Sequence, residues 1–210
     1  MTNDELKEII GIYADKYGVD PVGIEKNLSE TSIDDSDKDR AVYIYNPEHM
    51  KDVRVISWDA FAQNIYRRIR YPESKAERDS VSSPDAVFID RAGIWYFIEF
   101  KNQKLTKTSS SVRAKMVEAW HEFMDMLFDT RPASIDEVFF QHPIEYARQN
   151  VVFILVVGDK YSDDVAHIQD KDRAGEKYTP EFMYKLKRYY FKDAYAYTAE
   201  LLEKRLVSLG

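Results

Sequence analysis

Residues 82–103 read SSPDAVFIDRAGIWYFIEFKNQ. Two runs rich in β-branched and aromatic residues, Asp85–Asp90 and Ile94–Lys101, flank Arg91-Ala92-Gly93, which is the pattern of a β-hairpin. Alternation along the second run puts Trp95, Phe97, Glu99 and Lys101 on one face and Tyr96, Ile98 and Phe100 on the other. A carboxylate and an ammonium then stand side by side at the end of an apolar strand, where unpaired charge is costly. If the turn takes three residues, Asp90 faces Ile94, and counting outward along both strands brings Asp85 opposite Glu99. Their Cβ atoms are then expected roughly 4.5–5.5 Å apart. Two carboxylates that close repel unless a cation sits between them. A two-residue turn would break this parity.

Outward from the hairpin, Ser110 or Ser111 is expected to start a helix running to about Asp129, with Val112, Met116, Trp120, Phe123 and Leu127 on one stripe. The apolar run Val151–Val157 suits a buried strand. Placed after that helix, it implies a right-handed crossover to a strand parallel to Ile94–Lys101. On the other side, Ser57 can cap a helix Trp58–Arg70 whose stripe is Trp58, Phe61, Ile65 and Ile69. A helix is expected over Asn3–Tyr17, an acid-rich solvated loop over residues 27–40, and short strands at Ala41–Tyr45 and Val53–Ile56. Residues 130–149 read as short helical turns and 159–178 as a charged loop. Thr179-Pro180-Glu181 opens a helix, Lys192–Tyr197 reads as a strand, and Thr198 caps a last helix. The order predicts the α/β class, a mixed sheet covered by helices. Residues 51–210 read as one unit and residues 1–50 as an acidic extension of helix and loop.

With 210 residues, 44% of them hydrophobic, the chain is large enough for a sizeable core, which excludes global disorder. The absence of Cys excludes disulfides, thiol catalysis and Cys-ligated zinc. The longest wholly apolar run is far short of the ~20 residues that span a bilayer. The start MTNDELKEII lacks the basic and apolar regions of a signal peptide, so a cytoplasmic location is expected.

The net charge of −7 belongs to residues 1–50, which carry 12 acids against 5 bases; beyond them the charges balance. That argues against a bulk DNA coat but leaves room for a local basic face. From Phe100 to Val117 stand Lys101, Lys104, Lys107, Arg113 and Lys115 with no acid, a run suited to backbone phosphates. Arg113 and Lys115 are expected to face solvent, and the helix N-terminal amides to add an anion site. Other motifs fall away. Gly-rich phosphate loops are absent. Asp35, Asp37 and Asp39 have calcium-loop spacing, but Arg40 stands where Gly is needed. Tyr189-Tyr190 and Tyr195–Tyr197 read as packing residues.

Pro84-Asp85, thirteen residues, then Glu99-Phe100-Lys101 resembles the PD-(D/E)XK nuclease superfamily, and the strand–turn–strand–helix around it looks like that family's core. The likeness covers about residues 58–157. It implies a restriction-endonuclease-like fold in which Asp85, Glu99 and the Phe100 carbonyl hold Mg²⁺ (or Mn²⁺) and Lys101 serves the attacking water or the phosphate. Gln103 falls in line as support. Many members also carry an acid on the helix before the hairpin; here Asp59 opens that helix, Glu73 and Glu77 follow it, and Glu77 is taken as support. The resemblance implies a DNA phosphodiesterase, with RNA as an alternative substrate. The rival expectation is a catalytically inactive module that binds nucleic acid, a protein partner or a second copy of the chain. A third expectation is a globular domain in which the motif match is accidental, Asp85 being a turn acid and Glu99–Lys101 a same-face ion pair on a sheet edge.

Overall fold

Thr2 opens the first element with a reciprocal cap: its hydroxyl accepts from the Glu5 N–H, and the Glu5 carboxylate accepts from the Thr2 N–H, which satisfies two of the donors a helix start leaves orphaned. The helix is α1 (Asn3–Lys16). The computed structural model describes residues 1–34, 42–45, 50–73 and 81–209, with the backbone alone at 34, 42 and 207–209. After α1 come β1 (Glu25–Asn27), α2 (Leu28–Thr31), β2 (Ile33–Asp34), β3 (Val42–Tyr43) and β4 (Arg54–Ser57). The described part of 27–40 is therefore structured rather than loop. Asn27, whose side chain caps α2, is the residue that a polar-loop reading hides. The calcium-spaced acids Asp35, Asp37 and Asp39 lie outside the described residues.

Ser57 caps α3 (Trp58–Phe61), which passes through a π-helical stretch, Ala62–Tyr66, into α4 (Arg67–Arg70). The hairpin strands are β5 (Ala86–Ile89) and β6 (Trp95–Lys101). Next come α5 (Leu105–Thr130), α6 (Glu137–Gln141), α7 (Pro143–Asn150) and β7 (Val151–Val157). The chain ends with α8 (Ser162–Arg173), α9 (Glu181–Tyr190), β8 (Asp193–Thr198) and α10 (Ala199–Leu209). Thus 159–178 is not all loop: its middle forms α8, a polar helix that buries only Ile168 and so shows no apolar stripe to read.

Six strands form one sheet in the order β1-β4-β5-β6-β7-β8. Pairing is antiparallel from β1 to β6 and parallel across β6, β7 and β8, so the chain is α/β with a mixed sheet flanked by helices. Every residue of β7 is buried, as expected for a central parallel strand. On one sheet face Trp95 and Phe97 meet Phe123 of α5, and Phe97 meets Trp58. On the other face Phe100 packs against Tyr45, whose hydroxyl donates to the Ala199 carbonyl at the start of α10. Among the described residues no helix is long and apolar enough to cross a membrane.

The hairpin register matches the three-residue turn: Ala86 pairs with Ile98, Val87 with Phe97, Phe88 with Tyr96 and Ile89 with Trp95. Gly93 has φ +77°, and its N–H donates to the Asp90 carbonyl at 3.0 Å. This left-handed position in a three-residue turn is one that glycine takes without steric cost. Asp90 completes the turn by accepting from the N–H groups of Ala92 and Ile94, each at 2.9 Å.

Candidate active cleft

Asp85 sits one residue before β5 and is tied on three sides. Its N–H donates to the Ile98 carbonyl at 3.0 Å, its carbonyl accepts from Trp58 N–H at 3.1 Å, and its Oδ2 accepts from Phe100 N–H at 2.6 Å. The approach to it, residues 81–84, is strapped down from two helices. Gln63 donates to the Val81 carbonyl, Ser82 N–H to Glu118, and Ser83 Oγ to Asp59. The paired register ends at Ala86 and Ile98, short of Asp85, so these bonds rather than the ladder carry the Asp85 carboxylate to the side where Glu99 lies. Phe100 gives its N–H to Asp85, while the Lys101 carbonyl accepts from Gly158 N–H at 2.9 Å on the β7 side. Strand alternation then leaves the Phe100 carbonyl on the Asp85 edge.

The cation between the two carboxylates is Lys115. Its Nζ lies 2.8 Å from Glu99 Oε1, 2.9 Å from Oε2 and 3.8 Å from Asp85 Oδ1. Lys101 Nζ adds a second ammonium 3.0 Å from Glu99 Oε1. Those at Oε1 are short ion pairs rather than aligned hydrogen bonds. Glu99 is fully buried, whereas Asp85, Lys101 and Lys115 keep some access to an open cleft of about 460 Å³. Asp59 and Gln63 line it from the helix before the hairpin, and Glu30 and Thr31 from the N-terminal region. Burial, then the charge of Glu99, pushes the Asp85 carboxyl well above the usual carboxylate range. Burial alone would lower Lys115, but Glu99 and Asp85 outweigh it and hold the ammonium charged.

Several expectations change. Lys115 does not face solvent; it is built into the site. Helix α5 begins at Leu105 rather than Ser110, and its first N–H, that of Leu105, donates to Asp164 Oδ2 of α8 at 3.1 Å. An acid thus takes a place assigned to a ligand anion. Lys104, Lys107 and Arg113 are exposed. Gln103 lies in the loop beyond β6 and is half-buried. Glu77 falls outside the described residues, and Glu73 is exposed. Asp59, which the sequence leaves unassigned, is the acid that reaches the cleft. Its mark in sequence is its place two residues after the Ser57 cap, in the first turn of the helix.

Behind the cleft, Glu122 of α5 accepts from Trp58 Nε1 at 2.8 Å. Burial pushes its carboxyl up to about 9, against a smaller lowering by the Trp58 bond and smaller raising by Glu118 and Asp59. It is a protonated acid within the core at neutral pH.

The donor set can be tested for a metal. No group of three or more His, Asp or Glu close enough to hold an ion occurs among the described residues. What the cleft offers is a carboxylate pair and a backbone carbonyl. Hard oxygens of this kind suit Mg²⁺, which keeps several of its waters. The raised Asp85 carboxyl and the ammonium drawn between the pair both mark a place where positive charge is stabilising. The oxygen donors present therefore fit a divalent ion that keeps most of its waters.

Comparison of the chain with protein-family models, with curated proteins and with solved structures finds no match.

Proposed function

We propose that the chain is a metal-dependent phosphodiesterase of the restriction-endonuclease-like fold, acting on DNA. The observation that carries this reading is the shared cation. Asp85 and Glu99, brought from adjoining strands, close on one ammonium at the wall of an open cleft, with Lys101 beside them. Further support comes from the hairpin followed by helix α5 and the parallel strand β7, the arrangement that the sequence resemblance implies.

On this reading Asp85, Glu99 and the Phe100 carbonyl hold Mg²⁺ or Mn²⁺, which when bound acidifies a water and neutralises charge on the scissile phosphate. Lys101 donates to a phosphate oxygen or to the attacking water, a donor pre-placed where charge develops. Lys115, whose ammonium lies between Glu99 and Asp85, would supply positive charge beside the metal and the phosphate. Asp59, which accepts from Ser83 Oγ, lines the same cleft. Gln63 and Ser83 hold residues 81–85 in register, so that Asp85 does not have to be ordered at each turnover.

Plasmid DNA incubated with Mg²⁺ or Mn²⁺ tests the reading. Nicking is expected from wild type and lost in Asp85→Asn, Glu99→Gln and Lys101→Ala. No metal-dependent nicking by wild type, or equal nicking by the three variants, overturns it. The same site favours a second reading if Lys115 never yields. The pair is then neutralised for good, and the fold serves as a binding module.

A further inference from the structure

The cleft lies where β6 ends at Lys101. At the other end of the sheet β6, β7 and β8 begin at Trp95, Val151 and Asp193, the far end of the seven-residue strand β6 and roughly 20 Å away. There α7 and α9 meet. Arg148 Nε donates to the Tyr189 carbonyl at 3.0 Å, and Lys192 Nζ to the Gln149 carbonyl at 3.0 Å. Between them runs an open groove of about 740 Å³, lined by Arg148, Tyr184, Lys185, Arg188, Tyr189 and Lys192 among others, with no acid in the lining.

Helix α9 turns Met183 inward, with Phe182 and Leu186 packed against the core. Outward it presents Tyr184 and Tyr189, 58% and 48% exposed, and the exposed cations Lys185 and Arg188. Lys187 is tied to Asp193 at 2.6 Å and Arg148 to Glu145 at 3.5 Å. Lys185 and Arg188 have no ion pair among the described residues. Tyr184 with Arg188, and Lys185 with Tyr189, are four residues apart, so each ring neighbours a cation on the helix surface. From Phe182 to Lys192 the chain carries four bases and no acid, in a protein whose net charge is −7.

We propose that this α7–α9 face binds single-stranded nucleic acid. Unpaired cations neutralise phosphates, and exposed rings beside them stack bases. A duplex hides its base faces and would leave the tyrosines idle. An anionic bilayer draws on an apolar helix face that can sink below the headgroups, and α9 has already spent that face on the core. The face is separate from the cleft, so binding here does not depend on cleavage there.

Anisotropy of a labelled oligothymidine of roughly 20 nucleotides, in EDTA, reads the face directly. A duplex of equal length and phosphatidylserine vesicles are the competitors. Lys185→Gln/Arg188→Gln is expected to flatten the log–log salt slope by about 0.7 for each phosphate that is no longer neutralised. Tyr184→Ala/Tyr189→Ala is expected to weaken binding about tenfold or more. All four side chains are exposed, so melting temperatures should stay near wild type and show that the variants fold. Unchanged affinity in the tyrosine variant, or displacement by vesicles or duplex as effective as by unlabelled strand, would each overturn the proposal. Either outcome would leave a general anion-binding surface. Neither depends on whether wild type nicks DNA.

Discussion

A lysine lies 2.8 Å from Glu99 and 3.8 Å from Asp85. On the proposed function a metal ion entering this pair would have to move that ammonium, and the lysine would then set the apparent metal affinity. Lys115→Met keeps much of the stem and removes the charge. Without metal it leaves Glu99 buried with Lys101 alone, and breaking such a buried pair costs about 3–5 kcal/mol. With Mn²⁺ the loss should be largely restored, because the ion binds the folded state alone and no longer competes with the lysine; at a hundredfold excess over Kd that is about 2.7 kcal/mol. Melting curves in EDTA and in Mn²⁺ check this, with a larger metal-induced rise expected in the variant than in wild type. If Mn²⁺ moves neither protein, the pair is a structural ion network and holds no metal. The sequence pointed to Asp85, Glu99 and Lys101 because turn length and strand alternation place them by counting. It could not point to Lys115 as the shared cation, because that bond joins a helix to a sheet across 16 residues, and no local period encodes it.

Helix α5 explains how that lysine was misread. The stripe Val112, Met116, Trp120, Phe123 and Leu127 is real, but the buried face is wider. It takes in a second row of Thr108, Ala119, Glu122 and Met126, and Lys115 falls on that row. Two charges on it make the row look like solvent face. The early start is hidden by Thr106, Thr108 and Ser109–Ser111, poor helix formers that compete for backbone groups. Here Thr108 and Ser111 return their hydroxyls to the Leu105 and Thr108 carbonyls, and Asp164 caps from another helix. Glu122 gives the row a measurable consequence. Its carboxyl stands near 9, against 4.5 for a free glutamate. Between those values the unfolded chain has lost the proton that the folded chain keeps. Stability therefore falls as pH rises through that window, by up to about 1.4 kcal/mol per unit, and levels off on either side. Glu122→Gln keeps an acceptor for Trp58 Nε1 and removes the titration. It should match wild type near pH 4 and outlast it increasingly toward about pH 8. Urea midpoints across that range check the sign. A variant that is weaker than wild type by the same amount at every pH would mean that Glu122 contributes only its shape.

At the scale of the whole molecule, class and crossover were legible because β6 and β7 are long, apolar strands separated by a periodic helix. The place of the first fifty residues was not. Edge strands are kept short and charged, which discourages pairing with other chains, and β1 is the three residues Glu-Lys-Asn inside an acid-rich stretch. Yet β1 pairs with β4 as the sheet's edge, and α2 beside it supplies Glu30 and Thr31 to the cleft wall. Helix α1 is set deeper. Leu6, Ile10 and Tyr13 are fully buried, Asn3 accepts from Ile89 N–H in the hairpin, and Tyr17 donates to Asp129 at the end of α5. Burying each large apolar side chain is worth roughly 1.5–3 kcal/mol, and three or four of them approach the ~5–15 kcal/mol that holds a whole domain together. Removing residues 1–17 should therefore not yield a trimmed but folded remainder. The truncated chain is expected to lose its cooperative thermal transition and to expose the α5 face that α1 covers. Wild type should melt in a single step, because helix, hairpin and α5 share one core. Calorimetry of the two chains decides the matter. A remainder that melts cooperatively near wild type would make residues 1–17 an appendage, and a first, separate transition in wild type would give them a stability of their own.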